Sequence, residues 1–136
     1  MERPMIHDPI FLAQPSAEAT MEDIPTADDL MDTLRANADR CVGMAANMIG
    51  ISKRIIVFAD GQEYREMFNP EILKKTGPFE TEEGCLSLTG RRKTTRYRTV
   101  KVQWKTREGQ TRIKTFTGWT AQIIQHEIDH CNGVLI

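Results

Sequence analysis

The residues with the clearest chemical potential are His126-Glu127-Ile128-Asp129-His130. Two histidines four residues apart on a helix share one face, about one turn apart, so both rings can reach one cation. Glu127 follows the first histidine directly. From there its carboxylate meets a water on the cation rather than the cation itself. That arrangement suits metal-assisted hydrolysis of an amide. A five-residue match of this kind also arises by chance. Here, however, it holds two of the three histidines in the chain. Ile123, Ile124 and Ile128 cover more than one side of the same helix, which predicts a buried element. Two histidines, a glutamate and an aspartate cannot be buried there without partners.

A catalytic cation needs a third protein ligand and an open position. Downstream of His130 the sequence reads Cys131-Asn132-Gly133-Val134-Leu135-Ile136. Cys131 is about 100° round the helix from His130 and points off the ligand face. The third ligand is therefore expected upstream, from His7, Cys41, Cys85 or a carboxylate. Cys85 is the best of these, because the preceding Gly84 permits a close or unusual backbone path. A small buried thiol in a strand is the plainer reading of the same residue.

The positioning elements follow from local pattern. Residues 1–25 carry four prolines and little periodicity, which predicts an extended arm. Thr26 reads as an N-cap, with Leu30, Met31, Leu34 and Ala38 at helical spacing, so a helix is expected over 27–39. Residues 54–59 form a β-branched run and a strand. Asp60-Gly61 is a turn. Short strands are expected at 66–69 and 71–75, after which Gly77-Pro78 should break the chain. Residues 98–105 alternate and pair through Glu108-Gly109 with 111–117 as a hairpin. Gly118 ends that strand. The last helix runs from about 119 to 131 and stops at Asn132-Gly133. This is an α+β pattern: mixed or antiparallel sheets around a central buried helix that carries the histidines, with a further helix near the N-terminus. No repeat or linker divides residues 1–136, so one domain is expected.

Composition excludes several classes. Hydrophobic residues are 40% and charged residues 27%, with a formal net charge of -1. Nothing in bulk charge favours nucleic acid or an anionic surface. No run has the length of a membrane span, and no secretory leader is visible at the N-terminus. Three cysteines, an odd number, argue against a disulfide framework and for a reducing cytoplasm.

Three blocks, in order, give the chain a family resemblance. They are Gly43-Met44-Ala45-Ala46-Asn47-Met48-Ile49-Gly50, Glu83-Gly84-Cys85-Leu86-Ser87 and Gln125-His126-Glu127-Ile128-Asp129-His130. Gly118, Ala121 and Gly133 stand at matching spacings, and Phe68-Asn69-Pro70-Glu71-Ile72 is similar to the segment between blocks one and two. The chain resembles the peptide deformylases from about residue 40 onward. The resemblance implies one divalent ion, foremost Fe²⁺ with Zn²⁺, Ni²⁺ or Co²⁺ as substitutes, held by Cys85, His126 and His130. It implies Glu127 as general base and acid, and the Leu86 N–H as a donor to the oxyanion. Val42, Gly43 and Gly84 would line the peptide. Trp119, Gln122 and Ile123 would lie near the pocket for the methionine side chain.

The implied substrates are N-formylmethionyl peptides or nascent chains. The implied setting is a monomer in the bacterial cytoplasm, with the ribosome as a candidate partner. There are departures. Cys41 replaces the first glycine of block one, Thr89 replaces a proline, and the loop after Cys85 is one residue short, which touches the pairing of Arg96 with Glu83. Met48 stands where the family has a glutamine that donates to the oxyanion, and a thioether cannot donate. Two alternatives remain at this stage: a hydrolase of another small N-acyl amide, and a metal-retaining binder of methionine-like N-termini without turnover.

Overall fold

The computed structural model describes residues 1–136 except Leu86, Leu88 and Thr89. Five strands, β1 (Gly43–Ala45), β2 (Ile55–Asp60), β3 (Glu63–Gly84), β4 (Arg91–Lys105) and β5 (Thr111–Thr117), form one sheet in the order of the chain. All neighbours are antiparallel. Three α-helices, α1 (Pro9–Leu12), α2 (Ile24–Ala36) and α3 (Gly118–Cys131), complete the fold. The expected α+β class with a central helix holds, and its sheet is wholly antiparallel. No helix among the described residues is long and apolar enough to cross a membrane.

The isoleucines of α3 place it. It packs against β1, β2, β4 and β5, and Ile123, Ile124 and Ile128 join Phe58, Val100, Val102 and Phe116 in one core. Each such side chain, fully buried, contributes about 1.5–3 kcal/mol. The helix ends as predicted at Asn132, and Gly133 follows with φ of 76°. A Cβ on Gly133 would stand 2.4 Å from the Ala13 carbonyl oxygen, so glycine lets the arm cross the helix end closely.

Several local expectations need correction. Residues 1–25 are not simply extended: they contain α1 and a 3-10 turn at Met21–Asp23, capped by Thr20 and Asp23. Helix α2 starts at Ile24 rather than after Thr26, because Pro25 fits a first helical turn, where no N–H is needed. The strands expected at 66–69 and 71–75 are one strand, β3, with a bulge between Phe68 and Glu71. Asn69 takes φ of 53° there, and its side-chain amide clasps both backbone groups of Ala19 at 2.7 and 2.9 Å.

Gly77-Pro78 does not break the chain. β3 runs through it to Gly84, paired with a β4 that starts at Arg91. Pro78 lies opposite Tyr97. The Tyr97 N–H donates to Gln125 Oε1 (2.9 Å) and its carbonyl accepts from Gln125 Nε2 (2.8 Å). Both Tyr97 backbone groups therefore point away from β3. Pro78 sits in a pair that needs no ladder bond, so its missing N–H costs nothing. Gln125 also continues the edge of β4 beyond the last residue of β5 and fastens α3 to the sheet.

Candidate metal centre and active site

Strand β3 ends at Gly84, one residue before Cys85, and α3 presents His126 and His130 toward it. The Cys85 sulfur and one nitrogen from each ring lie within 4.8 Å of one another. Among the described residues this is the group of three that could hold an ion. The other upstream candidates are elsewhere. Cys41 Sγ donates to the Gly43 carbonyl at 3.0 Å. Burial, then the charges of Glu127 and Cys85, push its thiol up to about 12. His7 Nδ1 faces the Ser87 carbonyl at 3.0 Å.

The donor set fits a cation. His126 Nδ1 is 2.7 Å from Glu83 Oε1, which leaves Nε2 as the lone-pair nitrogen of the neutral ring. That Nε2 faces the His130 Nε2 at 3.2 Å. At that distance the two nitrogens share a proton or, in its place, a cation. Burial disfavours charge on His126, yet Cys85 and Glu83 outweigh it and push its pKa up to about 10. His130 goes down to about 3 through burial and the neighbouring His126. The two rings are thus not protonated together, and His130 keeps a neutral nitrogen facing His126.

Glu127 is 4% exposed, and its Oε1 has no hydrogen-bond partner among the described residues. Burial raises its carboxyl to about 7, against the pull of His126. A group poised there can both take and return a proton near neutral pH. Gly43 explains how β1 comes so near: a Cβ on it would stand 2.9 Å from Glu127 Oε2 and 2.8 Å from Ile123 Cγ2.

Glu83 is the residue whose part the sequence showed least. Besides His126, its carboxylate accepts from Arg96 Nη2 (2.7 Å) and Gln122 Nε2 (2.8 Å). Burial works against this charge, but the His126, Arg96 and Gln122 bonds hold its pKa down at about 2. Arg96, 3% exposed, also donates to Asp129 Oδ2 at 2.6 Å. The shorter loop has therefore not separated Arg96 from Glu83. The available signal was the acidic and amide residues of an otherwise apolar helix, which had to find partners.

A cavity of about 700 Å³ opens beside the cluster. Val42, Gly43, Met48, Gly84, Trp119, Gln122 and Ile123 line it together with Cys85, His126 and Glu127. Met48 and Ile123 are buried, whereas Trp119 is 62% exposed at the rim. The Leu86 amide lies outside the described residues. Met48 Sδ accepts from the Ala45 N–H at 3.4 Å. Asn47 is turned away, its Nδ2 donating to the His130 carbonyl at 2.9 Å.

The family model for polypeptide deformylase matches residues 5–136. The chain belongs to the polypeptide deformylase family. A peptide deformylase of Clostridium beijerinckii is 54% identical over 136 residues, covering all of both chains. One from Carboxydothermus hydrogenoformans is 39% identical over 133 residues, 96% of this chain and 86% of that one. Among solved structures, the Met-Ala-Ser-bound class I type b peptide deformylase of Acinetobacter baumannii superposes with a TM-score of 0.89. It is 31% identical and covers 99% of this chain and 97% of that chain. The same enzyme bound to actinonin gives 0.88 at 33% identity, covering 99% and 95%. Deformylases are metal-dependent, and the Cys85, His126 and His130 cluster of this family member fits that dependence.

Proposed function

We propose that this chain is a metal-dependent amide hydrolase that removes the N-formyl group from the N-terminal methionine of newly made polypeptides. The observation that carries the reading is the convergence of Cys85, His126 and His130 beside the buried, unpartnered Glu127, in a chain of the deformylase family. A divalent ion held by the three ligands would acidify a water and polarise the formyl oxygen. Glu127 takes the proton of the attacking water and passes it to the amine as the C–N bond breaks, giving formate and a free N-terminus. Glu83 fixes the His126 ring through Nδ1, with Arg96 and Gln122 fixing Glu83 in turn. Burial of Met48, Ile123 and Glu127 keeps bulk water from the floor of the cavity.

The peptide lies along Val42, Gly43 and Gly84, and the methionine side chain reaches toward Trp119, Gln122 and Ile123. The class I type b peptide deformylase of Acinetobacter baumannii has been solved with Met-Ala-Ser bound, a peptide of the class this reading assigns to the cavity. The Leu86 N–H serves the oxyanion, as the family resemblance assigns. Fe²⁺ is the native ion in this reading, with Zn²⁺, Ni²⁺ or Co²⁺ able to replace it. The chain works as a single-domain monomer in the bacterial cytoplasm on nascent chains at the ribosome. One hydrophobic core joining helices and sheet supports the single domain.

The test is anaerobically prepared, iron-loaded protein with formyl-Met, acetyl-Met and formyl-Leu peptides. Formate release, fastest from formyl-Met, is expected. Cleavage of acetyl-Met as fast as formyl-Met would replace the reading with a broader N-acyl hydrolase, and binding without cleavage would make the chain a binder.

Met48 defines a second expected result. Its sulfur accepts rather than donates, and Asn47 is committed to His130, so neither replaces the glutamine amide. Met48→Gln should raise kcat on formyl-Met peptides by up to about 100- to 1,000-fold, the worth of one oxyanion donor. KM should change little, because the added bond forms in the transition state. Unchanged kcat in that variant would show that the site does not use a donor there.

A further inference from the structure

We propose that Ile6 and His7 form a clamp across the metal cavity and that His7 is a positioning residue for the segment carrying Cys85. The inference rests on reading Cys85 as a metal ligand. The Ile6 N–H donates to the Met48 carbonyl at 2.8 Å, and a Cβ on Gly50 would lie 3.5 Å from Ile6 Cδ1. Its neighbour His7 faces the Ser87 carbonyl through Nδ1 at 3.0 Å. A carbonyl only accepts, so Nδ1 is the donor. Ser87, 1% exposed, in turn donates its N–H to Cys85 Sγ at 3.4 Å. Two consecutive residues of the arm thus grip Met48, which lines the cavity, and Ser87, whose N–H meets the cavity-lining Cys85.

The arm does not need His7 to stay attached. The Arg3 N–H donates to Thr33 Oγ1 (2.9 Å), Ser16 N–H to the Cys131 carbonyl (2.8 Å) and Ala19 N–H to Asn69 Oδ1 (2.7 Å). The His7 ring is exposed, so deleting it removes little packing. What it uniquely supplies is a donor to the residue that fixes the Cys85 sulfur. Partners that touch a metal ligand, as Ser87 touches Cys85, typically cost about 10- to 100-fold in metal affinity or activity when lost, and His7, one step further out, falls at the low end of that range.

The test compares wild type, His7→Ala, His7→Asn and Asp23→Ala, each loaded with Zn²⁺. Metal release to excess chelator, melting temperature, and kcat and KM on a formyl-Met peptide are measured. His7→Ala should release metal about 10-fold faster, with lower kcat, near-normal KM and an unchanged melting temperature. His7→Asn, whose amide can reach the same carbonyl, should restore most of both. Asp23→Ala, which loosens the arm at its 3-10 turn, should keep wild-type release and turnover. Wild-type release by His7→Ala, or equal acceleration by His7→Ala and Asp23→Ala, overturns the clamp. Wild type that holds metal but spares formyl-Met peptides overturns the proposed function alone, and the release rates still decide the clamp. Wild type that binds no metal overturns both.

Discussion

Cys85→Ala, His126→Ala and His130→Ala are each expected to lose tightly bound metal and, with it, turnover. The three donor atoms lie within 4.8 Å of one another, and removing one leaves two, too few to hold a catalytic ion that needs three protein ligands and an open position. Because loss of a mere supporting partner costs 10- to 100-fold in affinity, loss of a direct donor should exceed about 100-fold. Cys41→Ala is the informative contrast. Its thiol bonds to the Gly43 carbonyl, outside the cluster, so that variant should keep its metal. The fold should survive the His126 change, because Glu83 retains Arg96 and Gln122. Elemental analysis of the purified proteins decides the matter. Stoichiometric metal in Cys85→Ala, with loss in Cys41→Ala, would be fatal to the assignment.

Glu127→Gln should behave oppositely, keeping the metal and losing about 100- to 10,000-fold in kcat, the usual worth of a positioned acid/base. Glutamine has the same shape, so the close approach of Gly43 persists. The Oε1 atom has no described partner to lose, so the melting temperature should not fall. A variant with near-normal kcat would show that the carboxylate does not carry the proton. One without metal would show that Glu127 is a ligand.

How far the sequence could be read depended on distance along the chain. His126 and His130 were legible because helical spacing alone puts them on one face. The helix itself was legible from Ile123, Ile124 and Ile128. The contact of Glu83 with His126 was not, since it depends on where β3 ends relative to α3, which only packing sets. Gly77-Pro78 read as a break because both residues punctuate chains locally. The structure tolerates them because the Tyr97 backbone opposite turns toward Gln125. Strand β1 was missed for a related reason: Gly43, Met44 and Ala45 carry no alternation, and they become a strand only through pairing with Ile56, Val57 and Phe58. Met48 was visible as a substitution, but the direction of the Asn47 amide was not.

The Glu83 and Arg96 network bears on how an ion would enter. Gln122, His126 and Asp129 on α3 are all tied through it to the β3–β4 hairpin, and Cys85 directly follows the end of β3 within that hairpin. The position of the imidazoles relative to the end of β3 is therefore set by buried ion pairs formed when the polypeptide collapses. Little conformational entropy remains to be lost at the moment of ion capture, since the rotamers of His126 and Glu83 are already restricted. Such a centre discriminates among ions by the rigidity of its bite more than by reshaping itself around each newcomer.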